Sequence, residues 1–135
     1  MPEKDSSQPQ PKSMLDVVEE VGVYPIEAYD FVQQGLSHAV LKIHGDRPAQ
    51  ENRHISGQQL SWGLRDFALE RWGLLSRIVL ARWNITATLD FGKIVFALVE
   101  YGHMSKTDED SVEDFRNVFD FRTAFEADYQ IGKQK

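Results

Sequence analysis

Apolar residues recur every three to four positions along most of the chain, and that period predicts helices rather than strands. In MLDVVEEV, the residues Leu15, Val17, Val18 and Val21 form one short apolar face, and Gly22 is placed to cap its end. Tyr24-Pro25 opens a second helix, since proline is tolerated where a backbone N–H would lack an intrahelical partner. Its stripe is Ile26, Tyr29 with Ala28, Phe31 or Val32, Leu36, Ala39 or Val40, and Ile43. Gly35 in the middle weakens that helix by about 1 kcal/mol relative to alanine. Gly45 to Arg53 then reads as a polar loop.

The densest pattern lies between Arg53 and Gly102 and holds all three tryptophans. Ser56 with Gln59 has the spacing of a capping box, in which each side chain satisfies a backbone N–H of the other. The expected core face is Leu60, Leu64, Phe67, then Leu74 or Leu75, Ile78 and Val79. Trp62, Leu69 and Trp72 fall off that face, so the helix is apolar on more than one side and is expected to be central. Gly73 divides it, with a second helix from Leu74 to Trp83. Thr88 is expected to cap the next helix, whose first turn carries Asp90. Ile94 to Val99 is apolar all round and fits a buried strand, but Phe91 and Tyr101 extend a helical stripe over it, which favours helix up to Gly102.

The remainder is acidic but studded with aromatics. Phe121, Phe125 and Tyr129 suit a last amphipathic helix, while Met104–Lys106 and Asn117–Phe119 are the candidate strands of a small hairpin. Two helices, a glycine and a hairpin follow the order of a winged helix-turn-helix. In DNA-binding examples the second helix enters the major groove with basic or amide side chains. Here it has Lys93 against Asp90 and Glu100, and an acidic wing that phosphate would repel, so such a geometry would serve protein contacts. The expectation is a mainly α, compact single domain of five to six helices, with a small winged-helix-like β-hairpin as the alternative near 104–119. Its organisation is a disordered tail at 1–13, the domain at 14–131 and a flexible end at 132–135.

Composition changes this picture in two ways. The chain has no cysteine, which removes disulfides, thiol catalysis and thiolate metal sites and fits a reducing cytosol. No apolar run approaches the ~20 residues of a membrane span, and a soluble cytoplasmic protein is expected. The net charge of −6 is unevenly spread. Lys42 to Trp83 holds seven basic residues against four acidic, whereas Glu100 to Ile131 holds nine acidic against three basic. Attraction between the two halves explains this more simply than an anionic partner does.

Most candidate chemistry fails on spacing. Asp90-Phe91-Gly92 spells the metal-binding triplet of protein kinases, but the glycine-rich loop, strand lysine and catalytic loop that give it meaning are missing. Counted from Asp108, an EF-hand needs glycine where Glu113 stands and glutamate where Phe119 stands, so a solvated acidic turn is expected. His38, His44, His54 and His103 form no zinc-ligand spacing. No cofactor and no metal are expected. His54 is distinctive because Arg53 and the Ser56 cap adjoin it at the start of the central helix, where free N–H groups suit an anion. Asp66 and Glu70 share a helix face and are candidates for acid–base work with His54, although pairing with Arg65 or Arg71 is their ordinary role.

The string RHISGQQL, GLRDFALERWG, DFG, IVFALVE and the later DF and FDF, with Tyr24 to Tyr29 and Phe31-Val32, resembles a family of short bacterial proteins of unknown function known only by a locus name. The resemblance spans roughly Val23 to Tyr129 and implies a single-domain bacterial protein. It brings no activity, cofactor or catalytic residue.

Three functions are therefore compatible with the sequence. The first is a non-enzymatic protein-interaction or regulatory module that uses Arg53, His54, Trp62, Arg65, Arg71 and Trp72 toward an unknown protein partner. The second is a nucleic-acid binder using the basic segment Lys42–Arg82, which the acidic C-terminal half disfavours. The third is an enzyme with His54 and Asp66 or Glu70 in a cleft.

Overall fold

The computed structural model describes residues 13–45, 54–107 and 109–126. Five helices follow in order: α1 (Met14–Val21), α2 (Ile26–His44), α3 (Gly57–Trp72), α4 (Ser76–Arg82) and α5 (Thr88–Glu100). Two 3₁₀ turns, Gly73–Leu75 and Val112–Phe115, and a helical turn over 121–126 complete the described chain. The mainly α expectation holds. The candidate hairpin does not: among the described residues there is no strand, and 104–107 has no regular secondary structure ahead of the 3₁₀ turn at Val112–Phe115. Side-chain caps hold that turn, as Ser111 Oγ accepts from the Glu113 N–H at 3.1 Å while Asp114 Oδ2 accepts from the Ser111 N–H at 3.1 Å. These local bonds give the backbone a partner other than a second strand.

The helix ends follow the sequence closely. Ser13, expected in the tail, caps α1 by accepting from the Asp16 N–H at 3.2 Å, and Gly22 closes it at φ 75°. Residues 1–12 and 127–135, including Tyr129, lie outside the described residues, as does most of the loop expected before Arg53. Ser56 and Gln59 form both bonds of the capping box, at 3.0 and 2.8 Å. Thr88, expected as a cap, is instead the first residue of α5 and is buried. The cap is Asp90, whose Oδ2 accepts from the N–H groups of Thr86 and Ala87 at 2.9 and 3.1 Å.

Helices α2 and α3 pair along their length, with α5 packed against both and α1 laid across α2 and α5. Gly35 explains itself here: a Cβ at that position would collide with Leu64 Cδ2, so the glycine lets the two helices approach. Tyr29, Val32, Leu64, Leu80, Ile85, Phe91, Ile94 and Leu98 are fully buried between the helices. α3 is central, as its two-sided apolar pattern implied; it touches α2, α4, α5 and both 3₁₀ turns.

The expected core face was wrong past Gly73. Leu74, Leu75 and Ile78 are 58–59% exposed, and α4 turns Ser76 and Leu80 inward instead. The positive φ of 53° at Gly73 breaks the phase of the stripe, so residues after it no longer continue the face of α3. The Ser76 hydroxyl secures the new phase, donating to the Gly73 carbonyl at 2.7 Å and lying 3.0 Å from that of Ala68. Leu15, Ile26 and Ile43, also assigned to apolar stripes, are exposed.

Candidate functional site

A cavity of about 370 Å³ opens where α2, α3 and α5 meet the 104–115 segment. Its floor is apolar: Leu36 and Val40 from α2, Leu60 from α3, Val95 and Phe96 from α5, with Met104 and Phe115. Its rim is polar, formed by His54, Ser56, Lys106, Asp110 and Asp114. An apolar depression of this size with a few convergent polar groups is the usual form of a binding pocket.

The wall that closes the cavity exists because two glycines leave a slot. A Cβ on Gly57 would lie 3.0 Å from Phe115 Cε1 and 2.9 Å from Asp114 Cβ. One on Gly92 would lie 2.8 Å from both Cβ and Cγ of Phe115. Phe115 therefore seats between the start of α3 and the middle of α5, with its ring edge-on to Phe96 at 6.4 Å. Thr88 locks the backbone of the same segment: its hydroxyl donates to the Phe115 carbonyl at 2.6 Å and accepts from the Val118 N–H at 3.1 Å. A buried hydroxyl satisfied in both roles costs little, whereas either partner left alone would cost the full desolvation.

His54 stands at the mouth. Its Nε2 lies 3.0 Å from Asp110 Oδ1, and its own carbonyl accepts from His44 Nε2 at 2.8 Å. Asp110 is held from behind, since its Oδ2 accepts from the Thr107 N–H at 2.8 Å. A carboxylate that fixes an imidazole beside an apolar cavity is a positioned hydrogen-bonding pair. It links α3's entry to a segment 56 positions further along the chain. The acidic turn is thus more than a solvated loop, although Glu113, held below the ordinary carboxylate range by its bonds to Arg116, keeps that solvent-facing character.

The other residues singled out in the sequence are not gathered at this mouth. Arg53 lies outside the described residues. Trp62, 41% exposed, packs at a tilt against Phe119 with ring centres 4.5 Å apart and carries the Arg65 guanidinium at 4.8 Å. Arg65 bonds Asp66 Oδ1 through both Nε and Nη2, at 3.0 and 2.7 Å. Arg71 donates to Gln34 Oε1 at 3.1 Å and lies 5.4 Å from the rings of Phe67 and Trp72. Trp72 packs on Phe31 and Trp83 in the aromatic core. Glu70 stands 3.6 Å from His38 and 4.0 Å from Lys42. The carboxylate that meets His54 is therefore Asp110, where the sequence had suggested Asp66 or Glu70. No local spacing signals a contact between a helix entry and a distant acidic turn.

Among the described residues no three His, Asp or Glu side chains converge to hold a metal, and no helix is long and apolar enough to cross a membrane. No protein-family model, curated protein or solved structure matches the chain.

Proposed function

We propose that this chain is a non-enzymatic protein-interaction module that seats an apolar side chain of a basic partner segment in the cavity beside His54. The observation that supports it is the combination of an apolar floor with a rim on which Asp110 and Asp114 outnumber Lys106. The floor rewards burial of apolar surface at roughly 25 cal/mol per Å². The two carboxylates, in a C-terminal half already rich in acid, favour positive charges beside the inserted group and speed their approach. Among the described residues of the basic segment Lys42–Arg82, four of the five lysines and arginines are already engaged within the chain. Lys42, Arg65, Arg71 and Arg77 each face an acidic or amide oxygen of the chain.

The direct experiment is calorimetric titration with two capped tripeptides, Lys-Phe-Lys and Glu-Phe-Glu. Binding of the first and not the second is expected. Equal binding, or none by either, would remove the proposal.

A second reading rests on one observation, the His54–Asp110 pair at the mouth. An imidazole oriented by a carboxylate is the base half of many hydrolytic sites. It ranks second because the adjacent Ser56 hydroxyl oxygen is already engaged as the α3 cap. Turnover of an activated ester that His54→Ala abolishes would promote it above the first.

A further inference from the structure

On the footing that the cavity seats an apolar side chain flanked by positive charge, we propose that His54 is a proton switch on its affinity. The neutral imidazole leaves the Asp110 charge to a cationic partner, and the protonated imidazole takes that charge for itself. Imidazole is the side chain whose charge ordinarily changes between pH 5 and 8. Here it stands at the mouth of the cavity with Nε2 3.0 Å from Asp110 Oδ1. In a neutral ring one nitrogen donates and the other accepts, whereas in a protonated ring both donate. A protonated His54 therefore aims a cationic N–H at Oδ1. A bond of that kind is roughly twice as strong as its neutral counterpart.

Asp110 is suited to this role by enclosure. Only 17% of its side chain is exposed, so salt and water screen its charge less than that of a surface carboxylate. Its Oδ2 accepts from the Thr107 N–H at 2.8 Å, and the group cannot turn away from the imidazole without losing that bond. The other charges about His54 come from the elements packed around it. The 104–115 segment brings Lys106 and Asp114 to the same rim. α2 brings His44, whose Nε2 donates to the His54 carbonyl at 2.8 Å. Among the described residues, those of α3 and α5 that line the cavity carry no ionisable group. With His54 neutral, two carboxylates on the rim face one ammonium, and the mouth favours a cation. A proton on His54 balances the two signs and removes that preference. Carboxylates and ammonium groups ordinarily keep their charges across this pH range, so the switch lies with imidazole. Linkage makes the effect reciprocal: a cationic partner seated at the mouth drives His54 to release its proton.

Calorimetric titration of the full chain with capped Lys-Phe-Lys, at about pH 8 and about pH 5.5, tests this across the imidazole range. The affinity is expected to fall about 5-fold or more from the higher pH to the lower, the size of an ordinary coupling between sites. His54→Gln should bind with one affinity at both, while His44→Gln keeps the fall. Should His54→Gln fail to fold, the wild type gives a second reading by NMR: saturating peptide should move the titration of the His54 ring to lower pH. Equal affinity at the two pH values overturns the switch and leaves the cavity as a seat for the peptide. A fall that persists in His54→Gln, or a His54 titration that the peptide does not move, also overturns it. No binding at either pH removes the seat and the switch together.

Discussion

The hydroxyl of Tyr24 donates to Asp90 Oδ1 at 2.6 Å, joining the approach to α2 with the first turn of α5 across 66 positions of sequence. The same carboxylate caps α5 through its other oxygen. Asp90 thus orients two helices with one side chain. Tyr24→Phe removes one buried bond and is expected to cost about 1–2 kcal/mol. Asp90→Ala should cost more, because two backbone N–H groups lose their acceptor as well. Urea unfolding of both variants checks the order.

The pair also sets an alkaline limit. Burial, and then the bond and negative charge of Asp90, push the Tyr24 phenol well above its ordinary value. The unfolded chain releases that proton near pH 10 while the folded one holds it, so this contribution is complete below about pH 10 and lost as pH rises beyond it. Tm measured from pH 8 to 11 should fall more steeply in the wild type than in Tyr24→Phe. Tyr29, raised in the same direction by burial and by Tyr101, retains part of the slope in the variant.

Thr88→Val keeps the shape of the side chain but strands the Phe115 carbonyl and the Val118 N–H. A loss of about 1–3 kcal/mol is expected, together with faster amide exchange across 112–118. A substitution with no effect on that segment would show that Thr88 does not hold the cavity wall.

Gly92→Ala sets two tendencies against each other. Helix propensity alone would stabilise α5 by up to about 1 kcal/mol. The new methyl, however, would sit 2.8 Å from Phe115 Cβ, an atom tied to backbone that cannot swing aside. Overpacking of about 1–3 kcal/mol should win, so chemical denaturation is expected to show net destabilisation.

Trp72 and Trp62 should separate cleanly. Trp72, partly buried, packs on Phe31 and Trp83 against the core, and truncation to alanine is expected to cost about 3 kcal/mol. Trp62 is partly in water against Phe119, and its alanine variant should lose only about 1 kcal/mol. Thermal melts of the two variants decide this.

The triplet Asp90-Phe91-Gly92 marks the boundary of what the sequence makes legible. It is no kinase signature, yet each member is fixed by structure: the first caps, the second is fully buried, the third makes room for Phe115. Caps and helical periods are local, so the roles of Gly22 and Ser56 follow from spacing. Slots for a distant ring, the Thr88 bonds and the meeting of His54 with Asp110 depend on which segments fold together, and no period encodes them. The exposed row at Leu74, Leu75 and Ile78 departs from its pattern for a related reason. Its hydrophobicity matches a core stripe, and only the turn at Gly73 aims it outward. His54 is legible from its place before a cap, but Asp110 is hidden in a run of acids.

The central claim is that the cavity beside His54 receives an apolar side chain flanked by positive charge. Intermolecular NMR Overhauser effects between the phenylalanine ring of the Lys-Phe-Lys peptide and the methyl groups of the protein test it most directly. The ring is expected to touch Leu60, Val95 and Met104. Val95→Phe, which fills the floor, should abolish these signals, and Asp114→Asn should reduce the affinity several-fold. Signals confined to other surfaces, or persisting unchanged in Val95→Phe, would contradict it.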